Sequence, residues 1–180
     1  MSTLKYAILG LLNRKSMTGY ELKKEFETTL FEFWNAKHSQ IYPELKDLYD
    51  NKLVNFNIEV SGNVLQKKLY YITESGKKYF YDWISKLDNK HVIQKDEFKL
   101  KLYFSDLLNK DERNSLLLKE LEIHSKALMH FKTNLLKFDN IPPSNDTDFV
   151  DYLVLLGGIK REEMVCEWLK ECLSLCQNRK

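Results

Sequence analysis

His38-Ser39-Gln40-Ile41-Tyr42-Pro43-Glu44-Leu45-Lys46 gathers a hydroxyl, an amide, a phenol and an ammonium into one short stretch. At about 100° per residue, a helix here sets Ile41, Leu45 and Leu48 on one stripe. Ser39, Pro43 and Lys46 then lie opposite, with Gln40 and Tyr42 on the flanks. Ser39 can cap the helix by accepting a backbone N–H bond. Pro43 falls near the end of the first turn, where at most one helical bond is lost. Such groups at a helix start donate to phosphates and base edges. A solvated surface helix has the same composition, so the surrounding elements must decide.

Thr3 to Asn13 has Leu4, Ile8, Leu11 and Leu12 at helical spacing, and Asn13 to Ser16 is a polar turn. A second helix opens on a Thr18-x-x-Glu21 capping box with Met17 and Leu22 as the hydrophobic staple. Leu22, Phe26, Leu30 and Phe33 mark its core face. The third helix, the stretch above, runs to about Asp50, and Asn51-Lys52 closes it. The apolar period then changes from 3.6 to 2. Val54, Phe56, Ile58 and Val60 alternate with Asn55, Asn57 and Glu59, as in a half-buried strand. Ser61-Gly62-Asn63 turns the chain. Gln66 to Ile72 returns, with Lys67 and Lys68 near the hairpin. Thr73 caps a fourth helix striped by Phe80, Trp83, Ile84 and Leu87.

Three helices, a hairpin and a further helix follow the order of a winged helix-turn-helix, in which the third helix enters the major groove. Lysines at the hairpin can neutralise phosphates. They also discourage edge-to-edge strand pairing, and the helix order favours the phosphate role.

Asp88 to Ile93 carries few patterns and reads as a linker. Beyond it everything is helical: Asp96 to Leu108 with Phe98, Leu102 and Phe104 or Leu108 inward, then an Asn109-capped helix to about Phe138 with Leu117, Leu121, His124, Leu128, Phe131 and Leu135. Pro142-Pro143 is a break. Ser144 or Asn145 then caps a last helix of roughly 30 residues, or about 45 Å, with Phe149, Leu153, Leu156, Met164, Trp168, Leu169, Cys172 and Cys176. A helix that long exceeds what its domain can cover, so a homodimer is expected. Gly157-Gly158 inside it reads as a kink or a close approach to another backbone. The fold class expected is mainly α with a small β-hairpin: a winged helix-turn-helix domain over 1–87 and an all-α domain over 88–180.

The 180 residues are 43% hydrophobic and 30% charged, ordinary for a globular protein. No apolar run approaches the roughly 18 residues that span a bilayer, and no signal peptide is visible, so a cytoplasmic protein is expected. The net charge is only +2, but its basic excess lies in residues 1–87. Cys166, Cys172 and Cys176 share one helix without a further ligand at metal spacing, and read as buried thiols. His38, His91, His124 and His130 are scattered. No Gly-rich phosphate loop, Gly-x-Ser-x-Gly or His-Glu-x-x-His is present. Neither an enzyme nor a metal or cofactor site is expected.

The chain resembles the PadR family of transcriptional regulators. The resemblance is carried by Leu4-Lys5-Tyr6-Ala7-Ile8-Leu9-Gly10-Leu11-Leu12, Met17-Thr18-Gly19-Tyr20-Glu21-Leu22, Ser39-Gln40-Ile41-Tyr42-Pro43-Glu44-Leu45 and Tyr70-Tyr71-Ile72-Thr73-Glu74-Ser75-Gly76 in that order. The Phe98-to-Phe104 stretch and Trp168-Leu169 are similar to its longer subtype. The resemblance implies a dimeric repressor that binds palindromic double-stranded DNA and releases it to a small, often aromatic, compound. It implies DNA contacts by Ser39, Gln40, Tyr42, Pro43 and Lys46, with Lys67 and Lys68 on the wing. Ser61-Gly62-Asn63-Val64-Leu65-Gln66 departs from the family at the wing tip, where Arg or Pro is common.

The dimer interface is expected to use Leu4, Ile8, Leu153, Leu156, Met164, Trp168 and Leu169. Tyr6, Trp34, Phe98, Tyr103 and Trp168 could stack on a flat effector, although aromatics so placed are also ordinary core. A winged-helix module that binds protein and not DNA is the alternative function.

Overall fold

The computed structural model describes residues 3–28, 30, 34, 38–61, 65–86 and 95–178, with the side chains of 38, 60, 61, 65, 66 and 178 outside that description. The chain divides into two compact units, Met1–His91 and Val92–Lys180.

In the first unit, α1 (Leu4–Arg14), α2 (Gly19–Thr28) and α3 (His38–Asp50) precede β2 (Val54–Ser61), β3 (Leu65–Ile72) and α4 (Glu74–Ile84). Leu4, Ile8, Leu9, Leu12, Leu22, Phe26, Ile41, Leu45 and Leu48 form the core. The capping box holds α2: Thr18 N–H donates to Glu21 Oε2 at 2.7 Å and Glu21 N–H to Thr18 Oγ1 at 3.2 Å. The Thr18 N–H and the Thr18 hydroxyl, both donated to Glu21 Oε2, keep the Glu21 carboxyl below its ordinary range.

The sheet has three strands, where the sequence indicated two, and β3 is the central one. The extra strand, β1 (Met17–Thr18), pairs Met17 with Tyr70 and Thr18 with Leu69. Two residues are too few to show an alternation. The β2 strand is half-buried only at its base: Val54 is buried, whereas Ile58 is 57% exposed. Glu59, Lys67 and Lys68 beside it are exposed as well, so the hairpin there stands clear of the core. Its turn at 62–64, Phe33, Leu87 and the linker at 88–93 lie outside the described residues.

The exit from α3 is a Schellman closure. Leu53 N–H donates to Leu48 O at 2.9 Å and Lys52 N–H to Tyr49 O at 2.9 Å. Lys52 occupies the left-handed position with φ 60°. Glycine is favoured there because it has no Cβ to clash with the carbonyl. Lys52→Gly is expected to raise stability by about 0.5 kcal/mol after the added freedom of the unfolded chain is subtracted. A urea midpoint no higher than that of the parent chain would refute this.

The second unit is an antiparallel helix hairpin. The helices α6 (Lys110–Leu135) and α7 (Thr147–Asn178) pack through Leu117 with Leu169 and Leu173 at one end, and through Phe131 with Leu155 and Ile159 at the other. Asn109 and Glu112 form a reciprocal capping box on α6. The predicted helix 96–108 is broken. It divides into α5 (Glu97–Tyr103), capped by Asp96, and a 3₁₀ turn (Ser105–Leu107). Arg113 fixes the break by donating to Ser105 O at 2.6 Å and Leu108 O at 3.3 Å. Phe98 and Leu102 pack inward as expected; of the two alternatives beyond them, Phe104 is exposed and Leu108 is partly buried. Asp146, and not Ser144 or Asn145, holds the start of α7. Those two residues are consumed by the turn that Asp146 N–H closes on Pro143 O at 2.9 Å. Asp146 Oδ1 then accepts Asp148 N–H at 3.1 Å. The helix runs through Gly157-Gly158 without a break, and a Cβ on Gly158 would meet the Phe131 ring at 2.8 Å.

Between the two apolar ends lies a polar seam. Glu162 is buried. His124 Nδ1 meets Glu162 Oε2, and Arg161 Nε donates to Glu162 Oε1 at 3.0 Å. His124→Leu removes one partner of a buried carboxylate and is expected to cost about 2 kcal/mol, with Arg161 retaining part of the interaction. Urea unfolding checks it; an unchanged midpoint would mean that the seam carries no stability.

Candidate nucleic-acid interface

The site is built on α3. Ile41, Leu45 and Leu48, each 1% exposed, anchor one face in the core. Ser39, Gln40, Tyr42, Pro43 and Lys46 are all exposed on the remainder. Ser39 does not cap the helix as expected: α3 already includes His38, so Ser39 sits within the first turn and is exposed. Pro43 lies inside the helix. Its missing donor would have served Ser39 O, so one helical bond is lost.

The hairpin adds the second element. Ile58 is opposite Lys68 and Glu59 opposite Lys67 in the ladder. Successive strand residues point to opposite faces, so the two lysines do not act as one basic pair. Lys68 shares the face of Phe56 and Tyr70, and its ammonium lies 4.2 Å from the Phe56 ring centroid. Phe56 also packs against Tyr49 of α3, with centroids 5.1 Å apart. An aromatic path thus links α3 to the wing, and sequence reasoning missed it. Its signal was available, because Phe56 and Tyr70 sit on one alternation face and Tyr49 ends the helix. Lys67 lies beside acidic groups instead. It faces Glu59 across the ladder and helps to lower the Glu21 carboxyl.

Each remaining site residue can be placed within its own unit. Tyr6 stacks on Trp83 at 4.3 Å and 7°, and on Tyr79 at 5.6 Å and 15°. Lys5 Nζ donates to Tyr79 OH at 2.6 Å, which lowers the phenol below its usual range and raises the ammonium. Trp34 packs partly buried on the N-terminal core. Phe98 meets Trp168 edge-on at 6.1 Å, and Tyr103 is 79% exposed.

The expected dimer set needs correcting. Leu4, Ile8 and Leu169 are buried in their own units' cores and have almost no surface to give a partner. Leu156 is partly buried. Leu153 and Met164 are exposed, together with Val150, Val154 and Leu175. These share a face of α7 roughly opposite the Leu155–Ile159–Cys166–Leu173 stripe at 100° per residue. Burial raises the Cys172 thiol, which makes the reactive thiolate scarce. Among the described residues no group of His, Cys, Asp or Glu is placed to hold a metal ion, and no helix is long and apolar enough to cross a membrane.

Residues 8–96 match the transcriptional regulator PadR-like family, and residues 94–177 match the virulence activator alpha C-terminal family. The chain is 38% identical to the negative transcriptional regulator PadR of Bacillus subtilis, over 97% of this chain and 98% of that protein. The chain belongs to the PadR family. The crystal structure of Bacillus subtilis PadR in complex with operator DNA is similar to it with a TM-score of 0.91 at 37% identity, covering 97% of this chain and 99% of that one. The same protein in complex with p-coumaric acid gives 0.87 at 36% identity, covering 98% and 100%. PadR family membership agrees with the sequence resemblance and with the mainly helical fold carrying a small sheet.

Proposed function

We propose that this chain is a dimeric, sequence-specific transcriptional repressor. It binds palindromic double-stranded DNA through α3 and the β2-β3 wing, and a small aromatic effector releases it. The observation that carries the reading is the division of α3: three apolar residues locked in the core, and Ser39, Gln40, Tyr42 and Lys46 presented to solvent. A helix anchored in this way holds its polar face still enough to read base edges. The likeness to an operator-bound regulator over the whole chain supports it. The N-terminal unit reads DNA. The helical unit dimerises through the exposed α7 face of Val150, Leu153, Val154, Met164 and Leu175, with the partly buried Trp168 on the same face. The protein acts in the cytoplasm as a regulator and not as an enzyme.

The relative bound to p-coumaric acid gives the effector class, an aromatic carboxylate. Among the candidate effector aromatics, Tyr6 lies with Tyr79, Trp83 and the Lys5 ammonium, and Phe98 and Trp168 lie with that of Lys99. Trp34 and Tyr103 complete the candidate set.

Fluorescence anisotropy with tiled duplexes from the gene's own upstream region, at two salt concentrations, tests the reading. Tight, salt-sensitive binding to one inverted repeat, weakened by p-coumaric acid, is expected. Weak and equal binding to every duplex would favour the protein-binding module.

A further inference from the structure

We propose that Gly19 is a positioning residue for DNA recognition: its bare Cα is the floor on which the Tyr42 ring rests, and its lack of a side chain sets where that ring points. The inference rests on the reading that α3 binds DNA, and names a determinant outside α3.

A Cβ on Gly19 would stand 2.6 Å from Tyr42 Cε1, 3.1 Å from Cζ and 3.2 Å from the hydroxyl oxygen. One edge of the phenol therefore lies along the backbone of α2 at its first residue. The φ of Gly19 lies outside the left-handed region, so this backbone accepts an alanine. Glycine is needed for space and not for conformation.

What yields to an added Cβ decides the effect. The Gly19 backbone is held from both sides. Thr18 pairs with Leu69 in the sheet and closes the capping box with Glu21. The Tyr42 ring is the far end of a two-torsion side chain and is half exposed. The ring moves and the backbone stays. Relief to ordinary van der Waals contact displaces the phenol by most of an ångström, beyond the roughly 0.5 Å tolerance of a recognition group. The fold loses little, because alanine is the better helix residue. Stability and recognition are thereby separated at a single position.

The probe is a duplex enriched by the unsubstituted protein from a randomised pool. Gly19→Ala is expected to melt no lower than the parent chain and to bind this duplex roughly tenfold more weakly, a loss within the range of one misread base pair. Its salt slope should be unchanged, since no charge is lost. A double-mutant cycle identifies the route. In a Tyr42→Ala background, Gly19→Ala should cost nothing further, because no ring remains to be displaced. Parental binding by Gly19→Ala, or an equal loss in both backgrounds, would overturn the inference while leaving the DNA-binding reading intact. Failure of the unsubstituted protein to enrich any duplex would overturn both, and is seen before any substitution is made.

Discussion

Gly76→Ala is expected to destabilise the N-terminal unit severely. An added Cβ would stand 2.0 Å from Leu53 O and 2.8 Å from Ile72 Cγ1. The nearest atom is backbone, and it is pinned. Leu53 O accepts Thr73 N–H at 3.1 Å and the Thr73 hydroxyl at 3.1 Å, while Leu53 N–H closes α3 on Leu48 O. Thr73 Oγ1 in turn accepts Gly76 N–H at 3.0 Å as the cap of α4. The carbonyl cannot withdraw without opening the end of α3 and the start of α4 together. Overpacking against backbone that cannot relax costs about 3 kcal/mol or more, a large part of the roughly 5–15 kcal/mol that holds a domain. The urea midpoint should fall sharply, and duplex binding should be lost at urea concentrations that leave the parent chain folded. A Gly76→Ala midpoint near that of the parent chain would show that the close approach is not rigid.

The same residues show what the sequence made legible. The Thr73 cap was readable from its type and place, and a glycine inside the first turn of a helix hinted that another backbone comes close. The α3 face was readable because three apolar residues at helical spacing leave only one orientation. The third strand was not, since Met17-Thr18 is too short to have a period. The end of α5 was hidden by Phe104, an apolar residue that a continuing helix would also have used. The α7 helix carries two apolar stripes, and spacing alone could not say which one α6 would cover. Glu162 held the answer, lying in register with Ile159 and Cys166 on the stripe that meets His124. Spacing alone gives no sign that a carboxylate on an apolar stripe is buried, because its partner lies on another helix.

Removing the lysines that share the α3 side of the wing is expected to lower DNA affinity far more than removing the third. Lys46 is exposed on α3, and Lys68 projects on the face of Phe56, which packs against Tyr49 of the same helix. Lys67 projects on the other face, opposite Glu59 and near enough to Glu21 to act on its carboxyl. Part of its charge is already offset within the protein, so it has fewer counterions to displace from DNA. A two-fold complex presents each lysine twice. Each lost phosphate contact lowers the slope of log affinity against log salt by about 0.9. Lys46→Ala and Lys68→Ala together should therefore flatten it by roughly four units, and Lys67→Ala by well under two. At ~1 kcal/mol for each charged contact, the double variant should bind on the order of a thousandfold more weakly. Its thermal midpoint should hold, because none of these ammonium groups is buried. Equal effects of Lys67→Ala and Lys68→Ala would mean that both faces of the wing meet the phosphates, and that strand alternation does not choose between them.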